Sequence, residues 1–330
     1  MNDVAFTSAI DTAHALRDAL ATVIKGRADT IQLVLCSLFA DGHVLLEDYP
    51  GSGKTTLTKT LGRLIAPSPH KTSDSQIVQF RRIQFTPDLL PGDVLGVTIY
   101  DPKSSRFQFI HGPVFAHVVL ADEINRTGPK VQAAFLECMA EKQVTIDNNT
   151  YKLDELFFVV GTQNPLDIAG TYPLPIVQLD RFLLKIPMSY VDAKTEIEIL
   201  RSHTEIKEQG ETIQPVCTRD DIIAARKVVD MVFVSDSLRQ AIVDIIHATR
   251  NSSYIQFGAS TRAALMLQAA MRSWALLSGR DHATEDDLKV MAPYVLLHRI
   301  KFQGTNKDGI NLLRNIMEPH VEALVRRGVR

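Results

Sequence analysis

The chain has 330 residues, of which 45% are hydrophobic and 22% are charged. This composition is typical of folded globular proteins and excludes an intrinsically disordered chain or a fibrous repeat protein. Lysine and arginine total 36 and aspartate and glutamate 38, so the formal net charge is −2. Such a balance provides no global electrostatic reason to bind nucleic acid. The length favours two domains over one large core.

The three cysteines are widely spaced, at Cys36, Cys138 and Cys217. An odd, sparse count argues against a disulfide framework or a thiolate zinc site and indicates a reducing compartment. The N-terminus, Met1–Val4, is acidic where a signal peptide is basic. The longest apolar run, Ile31–Ala40, is about half the length of a membrane span. We therefore expect a soluble cytoplasmic protein with no membrane span.

The first half of the chain alternates strand and helix patterns. Helices are predicted over residues 7–25, from there to Asp41-Gly42, and from Lys54 to Leu64. Strands are predicted over residues 43–47, 77–85, 118–121, 157–161 and 182–186. This alternation predicts a mostly parallel sheet that is covered by helices on both faces.

Two segments interrupt the alternation of strands and helices, and each is predicted to form a β-hairpin. One pairs Val97–Tyr100 with Phe107–Ile110, and the other pairs Gln143–Ile146 with Tyr151–Leu153. After Asp192 the strand signals disappear. Helices are then predicted at residues 196–200, 221–229, 238–248, 262–277 and 286–297. A second, all-α domain is expected to begin near residue 190.

A glycine-rich loop connects a predicted strand to a helix near residue 50. It reads Pro50-Gly51-Ser52-Gly53-Lys54-Thr55-Thr56, and we expect all seven residues to bind phosphate groups. Glycines let the backbone N–H groups point inward, and the helix N-terminus adds a positive dipole. Lys54 would reach the β- and γ-phosphates of a nucleotide, and the Thr55 hydroxyl would ligate Mg²⁺. The strict motif has a glycine where Asp48 stands, and the alternative is an ordinary glycine-rich turn.

Two carboxylates follow the apolar run Val118–Ala121. Asp122 ends the predicted strand, where it would hold the water shell of Mg²⁺ beside the phosphates. Glu123 is able to polarise a water molecule for attack on the γ-phosphate. The alternative for such a pair is a helix N-cap. A glutamate directly after the metal-binding aspartate indicates an ATPase rather than a kinase or a signalling GTPase.

Three further polar residues are candidates for contacts with the nucleotide. Asn164 follows the 157–161 strand and would bond the attacking water or the γ-phosphate, unless it only begins a turn. Arg181 stands at the edge of the last strand, and its planar fork suits phosphate charge. A surface ion pair with Asp180 is its alternative. Arg262 lies in the first turn of a predicted helix, where a cation opposes the dipole, which indicates an anionic partner.

With these residues assembled, the chain resembles the MoxR family of AAA+ ATPases, in the clade that also holds magnesium-chelatase subunits and replicative helicases. The resemblance extends from about Val23 to His298. Its most specific segments are Arg82–Pro91, Ala121–Arg126, Thr162–Pro165, Gly170–Pro175 and Leu179–Phe182. It implies an α/β fold, in which a P-loop AAA+ domain (residues 1–190) with a parallel sheet flanked by helices precedes an all-α lid domain (residues 191–330).

The resemblance also implies roles for particular residues and the cofactors ATP and Mg²⁺. Lys54 and Thr55 match the Walker A motif, Asp122 matches Walker B, and Glu123 matches the catalytic base. The hairpin at residues 97–110 resembles the insertion in helix 2 that marks the clade.

Three polar residues resemble elements that sense the nucleotide. Asn164 is similar to sensor 1, Arg262 to sensor 2, and Arg181 to an arginine finger that reaches into the neighbouring subunit. The resemblance therefore implies a homo-oligomeric ring, expected to be a hexamer. The segment Gly26-Arg27-Ala28 departs from the family pattern near the adenine, and Arg81-Arg82 is predicted to be solvated or structural.

The sequence is compatible with three functions. The first is a chaperone-like ATPase that remodels or activates partner proteins, with a von Willebrand factor A-type partner as a separate chain. The second is a nucleic-acid motor, which the near-neutral charge and a hairpin with only Lys103 and Arg106 disfavour. The third is a magnesium-chelatase-like metal-insertion subunit.

Overall fold

A central sheet and the helices around it make up most of the protein. The computed structural model describes residues 3–47, 49, 51–68, 77–164, 170–304 and 308–328. The strands are β1 Val44–Glu47, β2 Ile65–Ala66, β3 Val78–Gln84, β4 Gly96–Asp101, β5 Arg106–His111, β6 Ala116–Asp122, β7 Gln143–Ile146, β8 Asn149–Lys152, β9 Phe158–Gln163, β10 Leu184–Pro187, β11 Cys217–Thr218, β12 Ile255–Phe257 and β13 Lys301–Phe302.

The helices alternate with these strands and dominate after β10. They are α1 Asp3–Val23, α2 Ala28–Phe39, α3 Lys54–Leu64, α4 Pro91–Leu95, α5 Pro129–Glu141, α6 Ile176–Leu179, α7 Ala193–Thr212, α8 Arg219–Met231, α9 Asp236–Asn251, α10 Thr261–Leu277, α11 Glu285–Leu296 and α12 Gly309–Gly328. Within the described ranges, no helix is both long enough and apolar enough to cross a membrane.

Five strands form the central sheet in the order β10-β1-β9-β6-β3, and every neighbouring pair is parallel. All of β6 is buried, because its residues alternate between two hydrophobic cores. Val118 and Leu120 face the core that contains α1, α2 and α3, whereas Val119 and Ala121 face the core that contains α5. A continuous apolar run is what a strand covered on both faces requires. The predicted parallel sheet with two covered faces is confirmed.

Both predicted hairpins are present. β4 pairs antiparallel with β5, and β7 pairs antiparallel with β8. The second turn places Asp147 and Asn148 at φ values of 50° and 64°. Two consecutive residues with positive φ form the turn type that matches the twist of a two-residue hairpin, and Asp and Asn tolerate it best.

The prediction that strands cease after Asp192 is wrong in detail. β11 pairs in parallel with β2, and β12 pairs antiparallel with β13. These strands have only two or three residues, too few for an alternating pattern to be recognised in the sequence. The rest of the C-terminal half is helical, as predicted.

The helices of the two halves share a core. Residues of α8 and α10 belong to the same buried cluster as residues of α1 and α2. Ser273 of α10 donates a hydrogen bond to the carbonyl oxygen of Cys36 in α2 at 2.8 Å. The division into residues 1–190 and 191–330 therefore stays a prediction.

Candidate functional site

Four of the predicted polar residues, Lys54, Asp122, Glu123 and Asn164, lie where strands of the central sheet end. Arg181 instead precedes β10 and lies at the opposite edge of this parallel sheet, where Arg262 pairs with Asp180. β1 ends at Glu47, β9 at Gln163, β6 at Asp122 and β3 at Gln84. The register pairs Glu47 with Gln163 and Gln84 with Asp122, so these ends lie side by side. In open parallel sheets, ligands bind beyond the carboxyl ends of the strands.

The glycine-rich loop leads from β1 into α3 at this edge. Gly51 and Gly53 have φ values of 86° and 91°, in the region that favours glycine. A Cβ atom added to either would meet nothing within 4 Å, so backbone conformation and not space requires glycine here. The predicted loop residue Pro50, together with Asp48, lies outside the described residues.

The start of α3 has the features of an anion site. Its N-cap, Gly53, provides no side-chain cap, and its first turn carries Lys54 and no acidic residue. By contrast, the first turn of α8 is acidic and is closed by a capping box from Thr218. Ser52 Oγ is buried and has no hydrogen-bond partner among the described residues. An uncapped helix start beside a buried hydroxyl without a partner fits a phosphate group.

The Asp122 carboxylate is the centre of the site, with a side chain only 4% exposed. Lys54 Nζ lies 3.2 Å from Oδ1, and the Thr162 hydroxyl donates to the same oxygen at 2.8 Å. Arg82 Nη2 donates to Oδ2 at 2.6 Å. Burial alone would raise the pKa of Asp122, but the bonds from Arg82 and Thr162 and the charge of Lys54 hold that pKa below its usual value. An ionised carboxylate beside the loop is a suitable ligand for a hydrated Mg²⁺, as is the hydroxyl of Thr55 in the first turn of α3.

Glu123 adopts a left-handed backbone conformation directly after β6, with φ 57° and ψ 50°. Its backbone N–H donates to Thr162 Oγ1 at 2.9 Å. Its Oε2 accepts from Gln84 Nε2 at 2.8 Å and lies 3.1 Å from Arg126 Nε. A non-glycine residue in this conformation costs roughly 1–3 kcal/mol and persists where the surroundings hold it. The result is a partly exposed carboxylate beside Asp122, and its predicted role as a general base stays a prediction.

Arg81 and Arg82 are both exposed, which agrees with the prediction that this pair is solvated or structural. The contact of Arg82 with Asp122 was not predicted from the sequence. Sequence reasoning also missed Gln84 and Thr162 as partners of the acid pair. The signal for all three is a polar residue near the end of a strand, and it becomes specific only once β3 and β9 are known to flank β6.

Asn164 follows β9 directly, two residues beyond Thr162, at the same edge of the sheet. It is half-buried. Its predicted role as a sensor of the γ-phosphate stays a prediction.

Arg181 lies in the turn between α6 and β10, and its side chain is half-buried. Within the described ranges this side chain makes no hydrogen bond or ion pair. Asp180 pairs instead with Arg299 Nε at 2.7 Å and with Arg262 Nε at 3.6 Å. The alternative of an Asp180–Arg181 surface pair is therefore wrong, and Arg181 is available for another partner.

Arg262 lies in the first turn of α10, whose N-cap Ser260 accepts a hydrogen bond from the N–H of Ala263 at 3.1 Å. Its side chain is 54% exposed. Arg299 was not predicted from the sequence, and it links the helical half to the turn that carries Arg181. The Arg299 side chain is 2% exposed and donates to the carbonyl oxygen of Phe182 at 2.6 Å as well as to Asp180.

A cavity of about 730 Å³ opens beside the glycine-rich loop. Its walls include Gly53, Thr55 and Thr56 of the loop, Arg27 before α2, and Tyr190 after β10. A volume of this size is typical of pockets for nucleotide-sized ligands. Arg27, from the segment that was expected near an adenine, therefore lines the same cavity as the phosphate loop.

Comparison with known proteins agrees with this geometry. Residues 43–184 match the family described as "ATPase family associated with various cellular activities (AAA)", and residues 247–318 match an AAA lid domain. YeaC of Bacillus subtilis, an uncharacterised protein, is 42% identical over 93% of this chain and 94% of its own length. Chaperone MoxR1 of Mycobacterium tuberculosis is 38% identical over 87% of this chain and 76% of its own length.

Two further similarities cover nearly the whole chain. Protein MoxR of Paracoccus denitrificans is 30% identical over 93% of this chain and 90% of its own length. The crystal structure of a candidate ATPase from Cytophaga hutchinsonii superposes with a TM-score of 0.83 at 36% identity, covering 97% of this chain and 96% of that one.

Proposed function

Because the chain belongs to the MoxR family of AAA+ ATPases, we propose that it binds ATP with Mg²⁺ and hydrolyses the bond to the γ-phosphate. The observation that carries the proposal is the meeting of Lys54 and Asp122. The lysine that ends the glycine-rich loop and the aspartate that ends β6 lie 3.2 Å apart, although 68 residues separate them in the chain. This proximity supports the proposal that a phosphate cradle and a carboxylate ligand for a divalent cation lie next to each other.

Different residues of the chain bind the phosphates, hold the metal and activate the water molecule. The loop from Gly51 to Thr56 holds the phosphates through its backbone and Lys54, and Asp122 with the Thr55 hydroxyl would hold Mg²⁺. The metal, when bound, neutralises charge on the phosphate oxygens. Glu123 orients a water molecule and accepts its proton, and Asn164 helps to position that water.

We further propose that the protein works as a homo-oligomeric ring, a hexamer, and remodels or activates partner proteins. Arg181 supports the ring, since a half-buried guanidinium without a described partner suits the nucleotide of a neighbouring subunit.

The similarity to a relative that is named as a chaperone supports the proposal that this protein remodels partner proteins. A separate chain of the von Willebrand factor A type is the proposed partner. The exposed face of the β4–β5 hairpin is apolar and aromatic, with Tyr100 53% and Phe107 75% exposed, which favours a protein client.

Two substitutions test the ATPase proposal. Lys54→Ala should abolish ATP binding, because it removes the cation of the cradle. Glu123→Gln should bind ATP with near-normal affinity but hydrolyse it at least about a hundredfold more slowly, because the amide accepts no proton. Titration with a fluorescent nucleotide and a phosphate-release assay measure the two properties. ATP turnover at the unsubstituted rate by Glu123→Gln would show that Glu123 is not the base.

A further inference from the structure

Arg82 occupies one oxygen of the carboxylate that is proposed to hold Mg²⁺. Its Nη2 and Nε lie 2.6 and 3.2 Å from Asp122 Oδ2. The same Nη2 also donates to Gln84 Oε1 at 2.5 Å, which fixes the direction of the guanidinium along the end of β3. Lys54 and the Thr162 hydroxyl take the other carboxylate oxygen, Oδ1. Both oxygens of Asp122 are therefore engaged by positively charged or hydrogen-bonding groups.

The exposure of the partners differs. The side chain of Asp122 is 4% exposed and that of Lys54 is 18% exposed, whereas that of Arg82 is 48% exposed. A half-exposed arginine on the edge strand of the sheet is able to leave Asp122 for solvent, while Asp122 itself cannot move away from Thr162 without breaking a buried bond.

We propose that the ion pair between Arg82 and Asp122 competes with the binding of hydrated Mg²⁺ to this carboxylate. The inference rests on the proposed function and deepens it. When Mg²⁺ is not bound there, Arg82 and Lys54 together pair the buried charge of Asp122, as such a charge requires. When nucleotide and Mg²⁺ bind, a guanidinium and a divalent cation on one carboxylate repel each other, so Arg82 withdraws. Arg82 thus sets how much Mg²⁺ the site needs and is a positioning residue rather than a catalytic one.

Arg82→Gln tests the competition, and Arg81→Gln is its matched control. Arg81 is the adjacent residue of β3, is exposed, and points to the opposite side of the strand, so its substitution removes the same charge without touching Asp122. Binding of a fluorescent, slowly hydrolysed ATP analogue is titrated at several Mg²⁺ concentrations and in EDTA. The readout is binding and not turnover.

Arg82→Gln should lower the half-saturating Mg²⁺ concentration by about three- to fivefold, the upper part of the range expected for a pair of which one member is half-exposed. In EDTA the same variant should bind the analogue more weakly, because Asp122 then faces the phosphates with one of its two cationic partners removed. Arg81→Gln should change both quantities by less than about twofold. Arg82→Lys, which keeps the charge but has no fork to reach two partners, should lower the half-saturating Mg²⁺ concentration less, and it serves if Arg82→Gln does not fold.

An unchanged or higher Mg²⁺ requirement in Arg82→Gln, or an equal shift in Arg81→Gln, would overturn the inference while leaving the proposed function intact. If the unsubstituted protein binds no nucleotide, or Lys54→Ala binds it equally well, the proposed function itself fails.

Discussion

At the scale of single residues, Thr162 organises the acid pair. Its hydroxyl donates to Asp122 Oδ1 at 2.8 Å and accepts the backbone N–H of Glu123 at 2.9 Å. The side chain is fully buried, so neither partner can replace it with bulk water. One hydroxyl on β9 thereby orients the proposed metal ligand and the strained backbone of the proposed base on β6.

Thr162→Val should therefore damage both stability and turnover. Valine has nearly the same shape, but it leaves the backbone N–H of Glu123 without its acceptor and removes one hydrogen bond from Asp122, which costs about 1–3 kcal/mol of unfolding free energy. ATP turnover should fall at least about tenfold, since both carboxylates lose their orientation. Urea unfolding and phosphate release measure the two effects. Thr162→Ser keeps the hydroxyl and should retain turnover within about threefold; equal losses in both variants would contradict the role of the hydroxyl.

At the scale of elements, His43 joins three parts of the nucleotide-binding half. Its Nδ1 accepts the backbone N–H of Val159 in β9 at 3.1 Å, so its Nε2 carries the proton and donates to the carbonyl oxygen of Met139 in α5 at 3.1 Å. The ring stands directly before β1 and is buried. Burial lowers the pKa of His43 to about 4, and the hydrogen bond to Met139 offsets this only in part. Burial also holds the pKa of His298 well below its ordinary value.

These histidines make the fold sensitive to acid. Between about pH 6.5 and pH 4 the unfolded chain binds protons that the folded protein excludes, so the free energy of unfolding falls as the pH falls through this window. His43 accounts for up to about 3 kcal/mol of this loss. Urea unfolding at pH 7, 6 and 5 measures it, and His43→Gln should reduce the slope by about one proton. An unaltered slope in His43→Gln would contradict the assignment.

At the scale of the whole molecule, the two halves meet at Asp180. Its carboxylate pairs with Arg299 and Arg262, which both belong to the helical half, while the next residue, Arg181, has no described partner. Since the pairs of Asp180 do not involve Arg181, its guanidinium is left for another partner, which supports the proposal that it acts on a neighbouring subunit.

Mixed oligomers test Arg181 in trans. Arg181→Ala should bind ATP within about threefold of the unsubstituted protein but hydrolyse it roughly 10³-fold more slowly, because an arginine supplied by a second protein can raise phosphoryl transfer by about 10³–10⁵. Lys54→Ala should be inactive yet still present Arg181. Mixing the two variants should restore part of the ATP turnover, since some interfaces then pair an intact loop with an intact arginine.

The control is a mixture of Arg181→Ala with the double variant Lys54→Ala/Arg181→Ala, which should restore nothing. If oligomers shown to contain both single variants also recover no activity, Arg181 does not act across a subunit boundary.

The sequence by itself determined the elements and motifs whose signals are local. Each of these signals lies within a short stretch of chain. They are the glycine-rich loop, the acid pair, the two hairpins and the individual strands and helices of the alternating half. The physical causes act over a few residues: positive φ at Gly51 and Gly53, turn-forming Asp147 and Asn148, and apolar strands long enough to be buried on both faces. These features were therefore predictable before any tertiary contact was known.

Only the tertiary structure decided which polar groups meet. Arg82 and Asp122 are 40 residues apart in the chain, as are Asp122 and Thr162, and Asp180 and Arg299 are 119 apart. Their contacts depend on the order β9-β6-β3 and on the packing of the helical half against the turn before β10. No local pattern encodes strand order, because it follows from the burial of whole faces against one another. For that reason Arg82, Thr162 and Arg299 were not recognised from the sequence, although Lys54, Asp122 and Glu123 were.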